Sequence, residues 1–303
     1  MKTLTLAFFF AGAALADLVA DVRADLGRKD FAAAEARVEE FRKANGWNPE
    51  AILAYSWLGR GAQANKLWDK AEAYSARTRD LCMEALKSRK LDDEPKLPLA
   101  LGASIEVWGH TLAGRGARTE AVAFLQNELK AWHGTSIRTR TQKNLHLLSL
   151  EGKPAPAIEM KQHLGPKPVP VAELKGKPLI LFFWAHWCGD CKNQIPVLAR
   201  FEKEHAAKGL KVIGPTQRYG YVAGGVEAPP DQELRYIDQV RQQHYGSLSA
   251  MPAPVSEENF KAWGCSTTPT LVLVNRKGIV TLYHPGQMRY EQLAPHVAKI
   301  VAD

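Results

Sequence analysis

The chain has 303 residues, of which 46% are hydrophobic and 24% charged, a mixture that can bury a core and excludes wholesale disorder. At roughly 100–200 residues per domain, the length predicts two domains. The formal charge of +8 is spread over both halves and forms no patch, which points to solubility and away from nucleic acid; four cysteines are too few for a disulfide-stapled scaffold.

The chain opens Met1-Lys2, runs apolar from Leu4 to Ala11 and closes on Ala14-Leu15-Ala16 before Asp17. One cation, a short apolar stretch and an A-x-A site make residues 1–16 a secretory signal peptide, with a buried first helix as the alternative. The run is too short to span a bilayer, and no later stretch offers the roughly 20 apolar residues a span needs. Asp17 stands where a lipid-anchored protein would carry Cys. The chain is therefore expected to be exported, to a bacterial periplasm, with no membrane span after cleavage. Outside the cytosol disulfides persist, and dithiol motifs there belong to enzymes that make, break or reshuffle them.

Residues 17–150 are rich in Ala, Leu, Glu, Arg and Lys, all helix formers. Gly27-Arg28-Lys29-Asp30, Asn45-Gly46-Trp47-Asn48-Pro49 and Gly114-Arg115-Gly116 punctuate the segment. Between these marks apolar residues recur at three and four, as in Phe31, Ala34, Val38 and Phe41, the period of a helix with one buried face. Leu58-Gly59 followed by Ala71, and Trp108-Gly109 followed at the same distance by Ala121, resemble the tetratricopeptide pattern, in which small residues let paired helices approach. The first domain is thus expected to be α-helical, tetratricopeptide-like or a generic bundle. It carries no convergent His, Asp or Glu motif, so its expected job is packing and choosing a protein partner. Trp47, Trp57, Trp68, Trp108 and Trp132 supply aromatics of the kind enriched at binding hot spots, or else core. Glu151-Gly152-Lys153-Pro154-Ala155-Pro156 ends the last helix and predicts a linker at 151–156.

Residues 157–303 carry the chemistry. Leu179-Ile180-Leu181-Phe182-Phe183-Trp184 is a continuous apolar run, as in a strand buried on both faces. It leads into Trp187-Cys188-Gly189-Asp190-Cys191-Lys192 and then a helical pattern with Ile195, Leu198 and Phe201 on one side. The first Cys falls at the helix N-terminus, where free N–H groups and the dipole favour a thiolate. The second lies one turn in, within reach of a small disulfide.

Gly176-Lys177, the apolar strand, Phe183-Trp184-Ala185-x-Trp187-Cys188-x-x-Cys191-Lys192 and Pro196 resemble the thioredoxin superfamily. Pro156 and Leu174-x-Gly176-Lys177 look like its exported TlpA/ResA-type branch. Thr267-Thr268-Pro269-Thr270, the strand Leu271–Val274, the turn Asn275–Gly278 and the strand Ile279–Tyr283 resemble the family's cis-proline loop and terminal hairpin, with a last helix near Tyr290–Val301. The resemblance covers about residues 154–303. It implies an α/β thioredoxin-like domain that exchanges disulfides with protein thiols, using a dithiol donor or acceptor and no metal, flavin or nucleotide cofactor. Carried over by position, Cys188 is the attacking, more exposed thiol, Cys191 the buried resolving thiol, and the two form a redox-active disulfide. Pro269 is cis against the dithiol and, with Thr268 and Trp187, positions the substrate.

Several positions depart from that pattern. Phe182 stands where cytosolic thioredoxins hold a buried Asp. The dipeptide between the cysteines is Gly189-Asp190, and a carboxylate beside the thiolate disfavours it, which makes the disulfide less oxidising and points to reduction or isomerisation. His186, two residues before Cys188, does the opposite when protonated; an ordinary exposed residue is its plainer reading. Between Pro215 and Pro254 the chain exceeds a minimal thioredoxin, with a helix predicted over Asp231–Tyr245 and a mobile rim loop at Gly220–Gly225. Glu227 is a candidate acid or a solvated surface residue. Cys82 and Cys265 read as buried unpaired thiols, or as a staple. A single Cys-x-x-Cys disfavours zinc. Two other functions compete: a helical-repeat interaction protein using the second domain as a platform, and a thiol peroxidase, against which the aromatic Trp184 and Trp187 stand.

Overall fold

The computed structural model describes residues 17–169, 171–174 and 176–302; the expected signal peptide lies outside them. Two compact units divide between Arg115 and Gly116. Among the described residues no helix is long and apolar enough to cross a membrane.

The first unit is helical: α1 (Leu18–Gly27), α2 (Phe31–Asn45), α3 (Pro49–Ala64), α4 (Trp68–Ala85) and α5 (Lys96–Gly114). Asp17, Asp30 and Asn48 cap the first three helices with side-chain oxygens that accept backbone N–H groups, which is why the chain turns helical there. Pro49 opens α3, where a missing N–H costs nothing. The helices interlock where side chains are small: a β-carbon on Gly59 would stand 3.5 Å from Tyr74 Cβ and 3.6 Å from Val107 Cγ1. Leu58, Ala71, Tyr74 and Val107 share one core cluster. Asp25, on the buried face of α1, is ion-paired to Arg28 and Arg37.

The second unit begins with two helices, α6 (Arg118–Ala131) and α7 (Arg138–Ser149), and continues through β1 (His163–Leu164), β2 (Leu179–Phe183), α8 (Gly189–Glu204), β3 (Lys211–Ile213), α9 (Pro230–His244), β4 (Ala253–Pro254), α10 (Glu257–Trp263), β5 (Thr270–Val274), β6 (Val280–Pro285) and α11 (Tyr290–Ala302). Its main sheet has the order β3-β2-β5-β6. β2 runs parallel to β3 and antiparallel to β5, and β6 closes a hairpin on β5. The unbroken apolar run of β2 follows from covered faces on both sides. Ile180 and Phe182 enter a core shared with residues of α8, α9 and α11, whereas Leu179, Leu181 and Phe183 enter a second core with Phe260 and Trp263 of α10, as a period of two requires.

The 151–156 segment, expected from the sequence to be a linker, lies within the second of these units. The Pro- and Gly-rich segment does end α7, yet it is itself laid along the sheet. Gly152 donates to the Val280 carbonyl at 2.8 Å, Val280 donates to Lys153 at 2.9 Å, and Ala155 donates to Gly278 at 2.9 Å. α7 packs on α10 and β6, with His146 Nε2 2.9 Å from the Ala262 carbonyl and its ring edge-on to Tyr283. Leu150, at the end of α7, joins the core beneath the sheet.

Candidate functional site

The dithiol sits where β2 gives way to α8. The strand exit is fixed at Trp184, whose backbone N–H donates to Pro215 and whose indole donates to Gly214 at 2.8 Å, while Thr216 Oγ1 donates to the Trp184 carbonyl at 2.8 Å. Gly214 is needed for this: a β-carbon there would lie 2.7 Å from the Met251 side chain and 3.1 Å from the Trp184 indole nitrogen. Cys188 is the N-cap of α8, and its sulfur accepts the Cys191 amide at 3.1 Å. The helix terminus thus points an unsatisfied N–H and the positive end of its dipole at that sulfur, the arrangement that favours a thiolate.

Cys188 and Cys191 are disulfide-bonded, with Cα atoms 5.3 Å apart. Cys188 keeps 4% of its surface exposed and Cys191 none. The Thr268–Pro269 peptide is cis, and the Thr268 carbonyl oxygen lies 3.5 Å from the Cys188 sulfur. The loop is held by Thr270 Oγ1 donating to Thr267 at 2.7 Å and by Gly286 donating to the Pro269 carbonyl at 2.7 Å. Trp187 stands 51% exposed beside the dithiol, its ring meeting Tyr219 edge-on at 5.5 Å. Cys188, Cys191, Trp187, Thr268 and Pro269 therefore converge. Asp190 lies exposed in the first turn of α8. Phe182 is fully buried, tilted against Tyr245, so no carboxylate occupies that position.

His186 departs from the plainer expectation of an exposed residue: it is 2% exposed. Its ring is met edge-on by Tyr219 at 5.6 Å and by Tyr221 and Tyr236 at 5.4 Å. Its Nε2 lies 3.5 Å from Glu233 Oε1 and has no other partner. Burial pushes this imidazole below its ordinary range; Glu233 opposes the shift and Lys192 reinforces it. A dry site disfavours the charged ring, so His186 does not supply the ready positive charge that an exposed histidine would.

The acid of this region is Glu233. Glu227 is exposed and lines an open cleft of about 710 Å³ with Tyr219, Tyr221 and Pro229. The sequence held a signal for Glu233, since Glu233, Ile237 and Val240 occupy one buried stripe of α9, and an acid on an apolar stripe asks for a partner. A second unforeseen residue is Gln194 of α8, which exchanges two hydrogen bonds with the backbone of Met288 and ties the dithiol helix to the entry of α11. Cys82 and Cys265 are free and buried; burial pushes the Cys82 thiol up to about 12 and the Cys265 thiol well above its ordinary range, so neither offers a thiolate.

A mixed sheet covered on both faces, with a disulfide at the strand-to-helix junction facing a cis-proline loop, defines the second unit as a thioredoxin-like domain and the protein as a thiol–disulfide oxidoreductase. Residues 152–217 match the AhpC/TSA family. The chain is 26% identical over 156 residues to the thiol:disulfide interchange protein DsbE of Xylella fastidiosa, covering 51% of this chain and 71% of that one. It is 25% identical over 149 residues to the thiol-disulfide oxidoreductase ResA of Bacillus thuringiensis, covering 49% and 78%. A solved structure of a putative DsbE from Chlorobium tepidum superposes with a TM-score of 0.38 at 22% identity, over 50% of this chain and 98% of that one.

Proposed function

We propose that the protein is exported to a bacterial periplasm and reduces or isomerises disulfides in other proteins. The single observation that carries this is the placing of Cys188: it caps α8, faces the Thr268 carbonyl and adjoins the exposed Trp187. In the reduced enzyme the Cys188 thiolate attacks one sulfur of a substrate disulfide. A mixed disulfide forms and the other substrate sulfur leaves as a thiolate, which takes a proton from water. Cys191, deprotonated, then attacks Cys188, restores the Cys188–Cys191 disulfide and releases the second substrate thiol. A dithiol donor resets the enzyme by the same exchange in reverse. In isomerisation the released substrate thiolate attacks a different disulfide of the same substrate, and the thiolate freed there attacks the substrate sulfur of the mixed disulfide, releasing the Cys188 thiolate with no net electrons consumed.

Substrate backbone lies along the Thr268–Pro269 loop, and Trp187 supplies an apolar face. Asp190 shifts the potential slightly toward the reducing side, because a carboxylate near Cys188 opposes its thiolate. The Met1–Ala16 segment supports export, and the helical unit supplies a surface for a protein partner. Its open cleft of about 810 Å³, lined by Glu35, Arg42, Trp47, Tyr55, Tyr74 and Arg77, suits that role.

Insulin reduction by dithiothreitol, followed by turbidity, tests the assignment beside a peroxide-consumption assay. The wild-type chain accelerates insulin reduction, Cys188→Ser abolishes the effect, and Cys191→Ser retains substrates on Cys188 as mixed disulfides. Peroxide consumption without insulin reduction would replace this function with a peroxidase.

A further inference from the structure

Glu233 is a buried acid of the second unit. Its side chain is 1% exposed, and both carboxylate oxygens are engaged. Oε2 accepts the Gly220 amide at 2.9 Å. Oε1 accepts the Tyr219 amide and faces His186 Nε2 at 3.5 Å. A carboxylate enters so dry a site only with its oxygens satisfied.

What these bonds hold is a closed loop. Ala228 donates to the Gly220 carbonyl at 3.0 Å and Val222 donates to Val226 at 2.9 Å, so residues 220–228 form a loop pinched at its base. Gly220 takes φ +87°, a conformation that suits glycine, which lets two successive amides turn toward one carboxylate. Tyr219, at the pinch, touches both sides of the arrangement. Its ring meets His186 beneath and Trp187 beside the dithiol, at 5.6 and 5.5 Å. The loop above carries Val226, 61% exposed, and walls the cleft described above. Trp187 and the loop thus form one aromatic and apolar rim next to Cys188, and the carboxylate under that rim comes from α9, the helix that directly follows the loop.

We propose that Glu233 is a positioning residue for the protein substrate: it anchors the 219–229 loop to α9 and so fixes the Tyr219–Trp187 face against which a polypeptide lies while its disulfide meets Cys188. The proposal rests on the function above, exchange with protein disulfides. It assigns Glu233 no contact with sulfur. A small disulfide, which needs only Cys188, therefore bypasses the rim, whereas a polypeptide uses it. Gln at position 233 keeps one carbonyl oxygen but turns an NH₂ donor toward an amide that is itself a donor, so one anchor bond is lost and replaced by a clash of donors.

The test uses the full chain as wild type, Glu233→Gln, Tyr219→Ala and the double variant. Two quantities are measured for each: kcat and KM for insulin, and the rate at which the reduced enzyme attacks 5,5′-dithiobis(2-nitrobenzoate). Glu233→Gln is expected to raise the insulin KM roughly tenfold, the cost of one unmade buried hydrogen bond, with kcat and the small-disulfide rate held within about twofold. Tyr219→Ala gives the same KM effect, and the double variant is no worse than either single one, since both act through one element. An unchanged KM in Glu233→Gln overturns the proposal. So does a small-disulfide rate that falls in step with the insulin rate, because the residue would then only support the dithiol's own fold. If Glu233→Gln fails to fold, Tyr219→Ala decides alone, and an unchanged KM there is equally fatal. A wild-type chain that leaves insulin intact overturns the protein-substrate function and this role with it, whereas insulin reduction with an unchanged KM in the variants overturns this role alone.

Discussion

Gly264 and Lys143 meet backbone to backbone. A β-carbon placed on Gly264 would come within 2.4 Å of the Lys143 amide nitrogen. Gly264 also takes φ +65° as the residue that ends α10, so any side chain there meets both a disfavoured conformation and the main chain of α7. Gly278 offers the comparison, with φ +78° and open space around it. Gly278→Ala is expected to cost about 1 kcal/mol, the conformational share alone. Gly264→Ala is expected to cost about 3 kcal/mol, because α7 must also be displaced. Urea denaturation of the two variants checks this, and equal losses would show that the α7–α10 approach is not tight.

The same contact predicts where the chain can be cut. A fragment starting at residue 116 keeps α6 and α7; one starting at 154 loses both, together with buried Leu145 and Leu150. At about 2 kcal/mol for Leu150, the leucine that enters the core beneath the sheet, the shorter fragment should be less stable by about 2 kcal/mol, a sizeable part of a typical domain's total. Thermal unfolding of the two fragments measures the difference. Equal midpoints would mean that α7 rests on the sheet without contributing to it.

At residues 151–156 local chemistry and packing carry different information. Gly152, Pro154 and Pro156 carry the local chemistry of a helix stop, and α7 does stop there. Local chemistry does not record that Gly152 and Lys153 then hydrogen-bond to Val280 of β6 and Ala155 to Gly278 in the turn before it, because those partners lie more than a hundred residues ahead. The dithiol was legible for the opposite reason: Trp184, Trp187, Cys188 and Cys191 are neighbours in sequence, and Thr267-Thr268-Pro269-Thr270 is itself a compact motif. Glu233 is not marked by its neighbours in sequence as part of the site. Its partners, Tyr219, Gly220 and His186, lie in other segments, and only its place on the Ile237–Val240 stripe hinted at burial.

Acid should weaken the second unit before its carboxylates titrate. His146, His186 and His284 are all pushed below the ordinary imidazole value, chiefly by burial. The unfolded chain therefore binds protons below about pH 6.5 that the folded chain refuses. Stability from this source is complete above that pH and is lost as pH falls toward the lower folded values. Lowered carboxylates such as Glu159 and Glu258 act in the same direction, but only below their ordinary range near 4.5. Urea midpoints between pH 7.5 and 5 should fall, and His146→Gln should flatten the slope. A midpoint that rises on acidification over that range would reverse the sign and refute the burial account.

The potential of the dithiol should depend on Asp190 weakly and in one direction. The residue lies exposed in the first turn of α8, and there its negative charge competes with the Cys188 thiolate for the same helix terminus. Asp190→Asn removes the charge at nearly constant shape, so the thiolate gains, the reduced form gains with it, and the disulfide becomes more oxidising. Water and ions screen an exposed charge to about 0.5 kcal/mol, which at about 30 mV per 1.4 kcal/mol is a shift of about 10 mV. A glutathione titration of both forms at low salt measures it. At 1 M salt, where the screening length shrinks to about 3 Å, the two potentials should converge. A shift toward more reducing values would contradict the charge argument, and one that persists undiminished at 1 M salt would place the effect in the shape of the Gly189-Asp190 turn.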